Sequence, residues 1–84
     1  MLKNIFTEIT IYPNPNGGIL NIASTGVTKL TIYNILGNKV FQMHLNPERE
    51  LNTVKLNQLT PGLYLIKVEN FNNEIFTSKI YFQN

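Results

Sequence analysis

The chain has 84 residues, the size of one domain, and 43% of them are apolar, enough for one small hydrophobic core. It contains no cysteine, which excludes disulfides and thiolate metal or redox sites. The net charge is +2, but the seven Lys and Arg residues are spread singly along the chain, which disfavours nucleic-acid binding. No apolar run approaches the 18 or so residues of a membrane-spanning helix, and the N-terminus lacks the apolar segment of a signal peptide.

The first predicted strand covers residues 5–12, with Ile9 and Ile11 on one face. It ends at Tyr12-Pro13-Asn14-Pro15, because two prolines cannot donate hydrogen bonds within a sheet. We expect the chain to cross between two sheets here and to turn at residues 16–18. A short second strand follows over residues 19–23.

A hairpin is predicted in the middle of the chain, from strands over residues 30–36 and 39–45. Gly37-Asn38 between them is a favoured two-residue connection. Residues 46–50 are a polar loop, and residues 51–56 form the next strand.

Residues 62–69, after a turn at Pro61-Gly62, give the strongest strand pattern, and residues 74–82 form the last strand. No segment shows the spacing of an amphipathic helix. The sequence therefore predicts an all-β fold, an antiparallel seven-stranded immunoglobulin-like β-sandwich, with a small closed barrel as the alternative.

The side chains used in catalysis are scarce. His44 is the only histidine and aspartate is absent, which excludes a Ser-His-Asp triad and a metal site with several imidazoles. Ser24 and Ser78 lack a nucleophile-elbow motif, and Glu48 and Glu50 lie in a polar loop that offers no apolar pocket. We expect no enzyme activity, no catalytic residue, no metal and no cofactor.

Five motifs occur in a fixed order from about Ile9 to the last residues. They are Tyr12-Pro13-Asn14-Pro15, Gly18-x-Leu20-x-Ile22, Ile32-Tyr33-Asn34-x-x-Gly37-x-Lys39-Val40, Leu56-x-x-Leu59-x-Pro61-Gly62-x-Tyr64-x-Ile66 and Lys79-Ile80. In this order and spacing the sequence resembles the type-A C-terminal sorting domain of the type IX (Por) secretion system.

The resemblance implies a non-catalytic transport signal on an exported protein. The partners would be the cargo linked upstream, the outer-membrane translocon and a sortase-like peptidase that removes the domain. The cargo would pass through the periplasm and be released or attached to lipopolysaccharide, so the location is secreted or cell surface. Residues 1–84 would be one domain excised from a larger exported protein, with any cleavage site upstream of or near Met1–Thr7.

The last strand is the predicted recognition element, because a terminal edge strand can be extended by a partner. The residues assigned to translocon recognition are Lys79, Ile80, Tyr81 and Phe82. Lys79 would present a charge, and Phe76, Ile80 and Phe82 would anchor the strand to the core. The other family positions are interpreted as mainly structural: Tyr12, Pro13, Asn14, Pro15, Gly37, Lys39, Gly62 and Tyr64.

Two other functions remain open. One is an accessory immunoglobulin-like module that binds carbohydrate or protein, which predicts an exposed aromatic or apolar patch on one sheet face. The other is a spacer domain without a partner. A sorting domain, in contrast, is expected to lack a ligand pocket and to make its contacts along the terminal strand and one edge.

Overall fold

The computed structural model describes residues 9–12, 17–56 and 59–83. In this part of the chain the backbone forms seven strands and no helix. The strands are β1 (Thr10–Tyr12), β2 (Ile19–Ala23), β3 (Val27–Tyr33), β4 (Lys39–His44), β5 (Leu51–Lys55), β6 (Gly62–Asn70) and β7 (Ile75–Phe82). Tyr12 ends β1 as predicted. Three predicted features lie outside the described residues: the Pro13-Asn14-Pro15 segment, the start of the first strand at residues 5–8 and the cleavage region at residues 1–7.

The strands form two antiparallel sheets. One has the order β1-β2-β5 and the other the order β4-β3-β6-β7. The predicted crossing between sheets after Tyr12 is wrong, because β1 and β2 are antiparallel neighbours in the same sheet. The two sheets enclose the buried side chains, which confirms the predicted seven-stranded β-sandwich. Strand β4 pairs with β3, so the sheet that contains β7 has four described strands and the opposite sheet has three.

The core follows from the alternation of side chains along each strand. On β6, Tyr64, Ile66 and Val68 are buried between the sheets, and on β7 the buried residues are Ile80 and Phe82. The Tyr64 and Phe82 rings meet edge to face, with centroids 6.4 Å apart. The opposite sheet contributes Leu20 and Ile22 of β2 and Val54 of β5 to the same cluster, which also includes Val27, Leu30, Ile32, Leu45, Leu56 and Leu59.

The predicted two-residue turn of the central hairpin is wrong. Strand β3 ends at Tyr33, and the chain turns through Ile35, Leu36 and Gly37 before β4 begins. The amide of Gly37 donates to the carbonyl of Asn34, and Gly37 has a φ of 87°, as expected for a three-residue loop that closes with a glycine bulge. The Asn34 Oδ1 atom accepts from the amides of Leu36 and Asn38, which makes the longer loop favourable.

Asparagine side chains hold further turns of this asparagine-rich chain. The buried Asn70 Oδ1 atom accepts from the amides of Asn72 and Glu74, and its Nδ2 donates to Glu74 Oε1 at 2.8 Å. The Asn52 side chain makes two hydrogen bonds to the Asn46 backbone, accepting from its amide and donating to its carbonyl, and so holds the loop before β5. The turns are therefore stabilised locally by side chains that substitute for backbone partners.

Shortening an isoleucine by one methylene should separate core from surface positions in the larger sheet. Ile66 is 0% exposed and Ile75 is 56% exposed. We expect Ile66→Val to lower the free energy of unfolding by about 0.5–1.5 kcal/mol, because it leaves a small cavity. The matched Ile75→Val change should stay within about 0.5 kcal/mol of the parent chain in urea unfolding. Equal effects of the two changes would contradict the assigned core.

Candidate recognition surface

Strand β7 lies at an edge of the four-stranded sheet, and of the described strands only β6 pairs with it. Its side chains alternate, so Ile80 and Phe82 face the other sheet and are buried, while Lys79 and Tyr81 are exposed on the outer face. Of the four residues assigned to recognition, Lys79 and Tyr81 are therefore the two whose side chains a partner can reach in the folded domain. Ile80 and Phe82 hold the strand in place, and Phe76, the third predicted anchor, is half-buried.

The outer face of this sheet has a polar half. Lys29 of β3 and Lys67 of β6 both lie near Glu69, with Nζ to Oε2 distances of 3.6 and 4.0 Å. The Lys67 ammonium also lies 5.8 Å from the centroid of the Tyr33 ring. Glu69 thus offsets one of the two lysine charges and leaves a local net charge of +1. Tyr33 marks the boundary with the other half.

The second half of the outer face is apolar and forms a groove with a volume of about 450 Å³. Register pairs Tyr33 with Leu65 and Leu65 with Lys79, so the groove runs across β3, β6 and β7. Most of its lining surface is apolar, and the lining residues with polar side-chain atoms are Tyr33, Asn34, Tyr64 and Lys79. The complete lining is Tyr33, Asn34, Ile35, Gly37, Leu63, Tyr64, Leu65 and Lys79.

Ile35 and Leu36 extend this apolar surface beyond the sheet. They lie at the tip of the β3–β4 turn, and their side chains are 76% and 80% exposed. Large aliphatic side chains next to an apolar groove are a common mark of an interaction surface. The groove departs from the expectation that a sorting domain lacks a pocket.

Sequence reasoning missed the groove for two identifiable reasons. The sequence pattern predicts Ile35 and Leu36 inside a strand over residues 30–36, where one of the two side chains would be covered. Leu63 and Leu65 lie on the outer face of β6 and interrupt its apolar–polar alternation, and the continuous apolar run of residues 63–66 was the available signal.

Gly62 and Tyr64 lie together at the start of β6. Gly62 has a φ of 155°, a conformation that favours glycine. The Tyr64 hydroxyl donates to the carbonyl of Thr60 at 2.6 Å and lies 3.2 Å from the Thr60 hydroxyl. This bond back to the chain just before the strand resembles the tyrosine corner of immunoglobulin-like domains. Tyr64 thus connects the turn to the core, and it is also one of the residues that line the groove.

The other described fingerprint positions lie at strand ends. Tyr12 is the last residue of β1 and is exposed, and Gly37 closes the β3–β4 turn. Lys39 is the first residue of β4, and its Nζ donates to Gln42 Oε1 at 2.7 Å. None of these contacts involves catalytic chemistry.

A second depression, of about 420 Å³, lies between β4 and β5 and is lined by more polar groups, including His44 and Arg49. His44 is exposed on β4, and Glu48 and Glu50 are exposed in the loop that follows. Across residues 9–12, 17–56 and 59–83, no group of three or more His, Cys, Asp or Glu side chains is placed to hold a metal ion. No helix in that same part of the chain is long and apolar enough to cross a membrane.

Comparison with known families matches residues 10–83 to the secretion system C-terminal sorting domain. The chain belongs to this family. The match confirms the resemblance to the type IX sorting domain, and it covers every described strand from β1 to β7. The family is a secretion signal and not a catalytic domain, and a type IX sorting tail implies a secreted or cell-surface protein.

Two individual proteins are similar to this chain, one in sequence and one in fold. The ulvan lyase NLR42 of Nonlabens ulvanivorans is 26% identical over 75 residues, which are 87% of this chain and 14% of the lyase. The chain thus spans about one seventh of the length of that relative. The crystal structure of CopC from Methylosinus trichosporium OB3b matches 89% of this chain and 91% of that one, with a TM-score of 0.52 and 14% identity. This similarity supports the fold alone.

Removing the Tyr64 hydroxyl should destabilise the sorting domain, because the bond to the Thr60 carbonyl is lost while the ring stays in the core. We expect Tyr64→Phe to lower the free energy of unfolding by about 1 kcal/mol. Tyr33→Phe is the matched control, because within the described residues the Tyr33 hydroxyl has no hydrogen-bond partner. It should change stability by less than about 0.5 kcal/mol. A neutral Tyr64→Phe change in thermal or urea unfolding would contradict the structural role of this bond.

Proposed function

We propose that this domain directs a covalently linked cargo protein across the outer membrane through the type IX translocon. It is then a substrate for a sortase-like peptidase, which removes it and either releases the cargo or attaches it to the cell surface. The domain is the recognised element in both steps and contributes no catalytic group.

The observation that supports this proposal most strongly is the position of Lys79. It is exposed on the edge strand β7, while Ile80 and Phe82 of the same strand are buried. A partner protein can therefore contact the outer face of β7 without unfolding the domain. The family match over residues 10–83 supports the same assignment.

A specific observation also supports a second candidate, an accessory module that binds another molecule outside the transport machinery. The exposed groove beside Leu63 and Leu65 is the apolar patch that such a module predicts. Because a carbohydrate site needs several hydrogen-bonding groups and this lining is almost entirely apolar, a protein ligand fits better than a sugar.

Export of a reporter distinguishes the two functions. We expect residues 1–84, fused behind a periplasmic reporter in a cell with a type IX system, to bring the reporter to the surface or medium. Lys79→Ala should lower this export several-fold, because it removes the cation on the outer face of β7. The change should leave the unfolding free energy within about 0.5 kcal/mol, because Lys79 is exposed.

Lys55→Ala is the matched control. Lys55 is an exposed lysine on β5, at the edge of the opposite sheet, and should export normally when replaced. Export that is unchanged by Lys79→Ala, or lowered equally by both changes, would refute the role of Lys79. A wild-type fusion that stays in the periplasm would refute the sorting function itself.

A further inference from the structure

The apolar groove on the outer face of the four-stranded sheet has a lining that selects one class of ligand. Its walls are Tyr33, Ile35, Leu63 and Leu65, with Lys79 at the β7 side. A phosphate or sugar would find few polar groups there, because most of the lining surface is apolar and Lys79 is the charged residue among those that line it. The volume of about 450 Å³ is sufficient for one or two large apolar side chains.

Lys79 differs from the other lysines on this face. Lys29 and Lys67 lie beside Glu69, and Lys39 donates to Gln42. In the described part of the chain, the Lys79 ammonium has neither an ion pair nor a hydrogen bond. An unpaired cation at the edge of an apolar groove is complementary to a carboxylate that enters with an apolar group.

The exposed turn extends this complementary surface. Ile35 lines the groove and Leu36 follows it at the hairpin tip, so the apolar area continues from the sheet onto the β3–β4 turn. Asn34 holds the turn through two side-chain hydrogen bonds, which keeps both aliphatic side chains presented to the solvent. A preformed apolar surface of this kind limits the entropy lost when a ligand binds.

We infer that this groove binds an extended segment of a partner protein, which places a large apolar side chain between Tyr33 and Leu65 and an Asp or Glu carboxylate against Lys79. The inference rests on the proposed function and deepens it, since it gives the chemistry of the segment that the transport machinery presents. The inference also assigns different roles to the residues of β7: Lys79 contacts the partner, whereas the buried Ile80 and Phe82 hold the strand in place.

Peptide selection tests this assignment. The 84-residue chain is used to select from a phage-displayed library of random ten-residue peptides, and an enriched peptide is then synthesised and titrated. We expect the enriched peptides to combine a large apolar residue with a nearby Asp or Glu. Selection on Lys79→Glu should replace that acid by Lys or Arg, whereas Lys55→Glu should return the original peptides.

The groove itself is tested with two leucines of similar exposure. Leu65 is 39% exposed in the groove, and Leu51 is 42% exposed on β5 of the other sheet. Leu65→Ser should weaken binding of the synthesised peptide at least about tenfold, and Leu51→Ser should leave its Kd unchanged. Both substitutions are made at exposed positions, and circular dichroism is used to check that each variant is folded before titration.

Several results would overturn the inference. These are a selection without an enriched motif, peptides without an acid, an unchanged motif with Lys79→Glu, or equal binding by the two leucine variants. A wild-type dimer that Leu65→Ser converts to monomer in sedimentation would assign the groove to a second copy of the chain. Binding to a glycan array that Leu65→Ser abolishes would assign it to carbohydrate.

The reporter fusion separates this inference from the proposed function. If Leu65→Ser loses peptide binding but exports the reporter normally, the groove has no part in sorting, and the inference fails while the secretion signal stands. If the wild-type fusion is not exported, the sorting function fails, whatever peptides were selected. Loss of both peptide binding and export in Leu65→Ser, with neither lost in Leu51→Ser, supports both.

Discussion

Strand β6 pairs with β3 on one side and with β7 on the other, and the rest of the domain depends on this double pairing. Eight residue pairs join β6 to β7, from Gly62 with Phe82 to Glu69 with Ile75. This register determines which β7 side chains face the core and which face the solvent, because neighbouring residues in a strand point to opposite faces. A slip of one residue would expose Phe82 and bury Lys79.

The two faces of β6 therefore have different roles. Its inner face carries Tyr64, Ile66 and Val68, which pack against the opposite sheet and keep the sandwich closed. Its outer face carries Leu63 and Leu65 beside Lys79, followed by the charged pair Lys67 and Glu69. This nine-residue strand, the longest in the described part of the chain, thus supports both a packed core and an asymmetric outer surface. The proposed recognition uses only the outer surface.

Alternation and turn residues were sufficient to predict seven strands, the sandwich and the burial of Ile80 and Phe82. They were insufficient for the β3–β4 turn, because a Gly-Asn pair alone does not show that Asn34 caps a longer loop with its side chain. The groove required knowledge of which strands are neighbours, since Tyr33, Leu65 and Lys79 are far apart in sequence and come together only through pairing. Lys79 and Tyr81 could be assigned to the outer face from the period of two alone.

The family assignment and the surface geometry lead to one physical account. In this account the transport machinery recognises a folded sandwich through the outer face of its four-stranded sheet. Site-specific photo-crosslinking during export tests this claim most directly. A photoreactive amino acid replaces Leu63, on the outer face of β6, or Leu51, on the edge of the opposite sheet, in a cargo fusion inside secreting cells. The account predicts crosslinks to an outer-membrane component of the type IX system from position 63 and none from position 51. Crosslinks from position 51 alone, or equally from both positions, would contradict it.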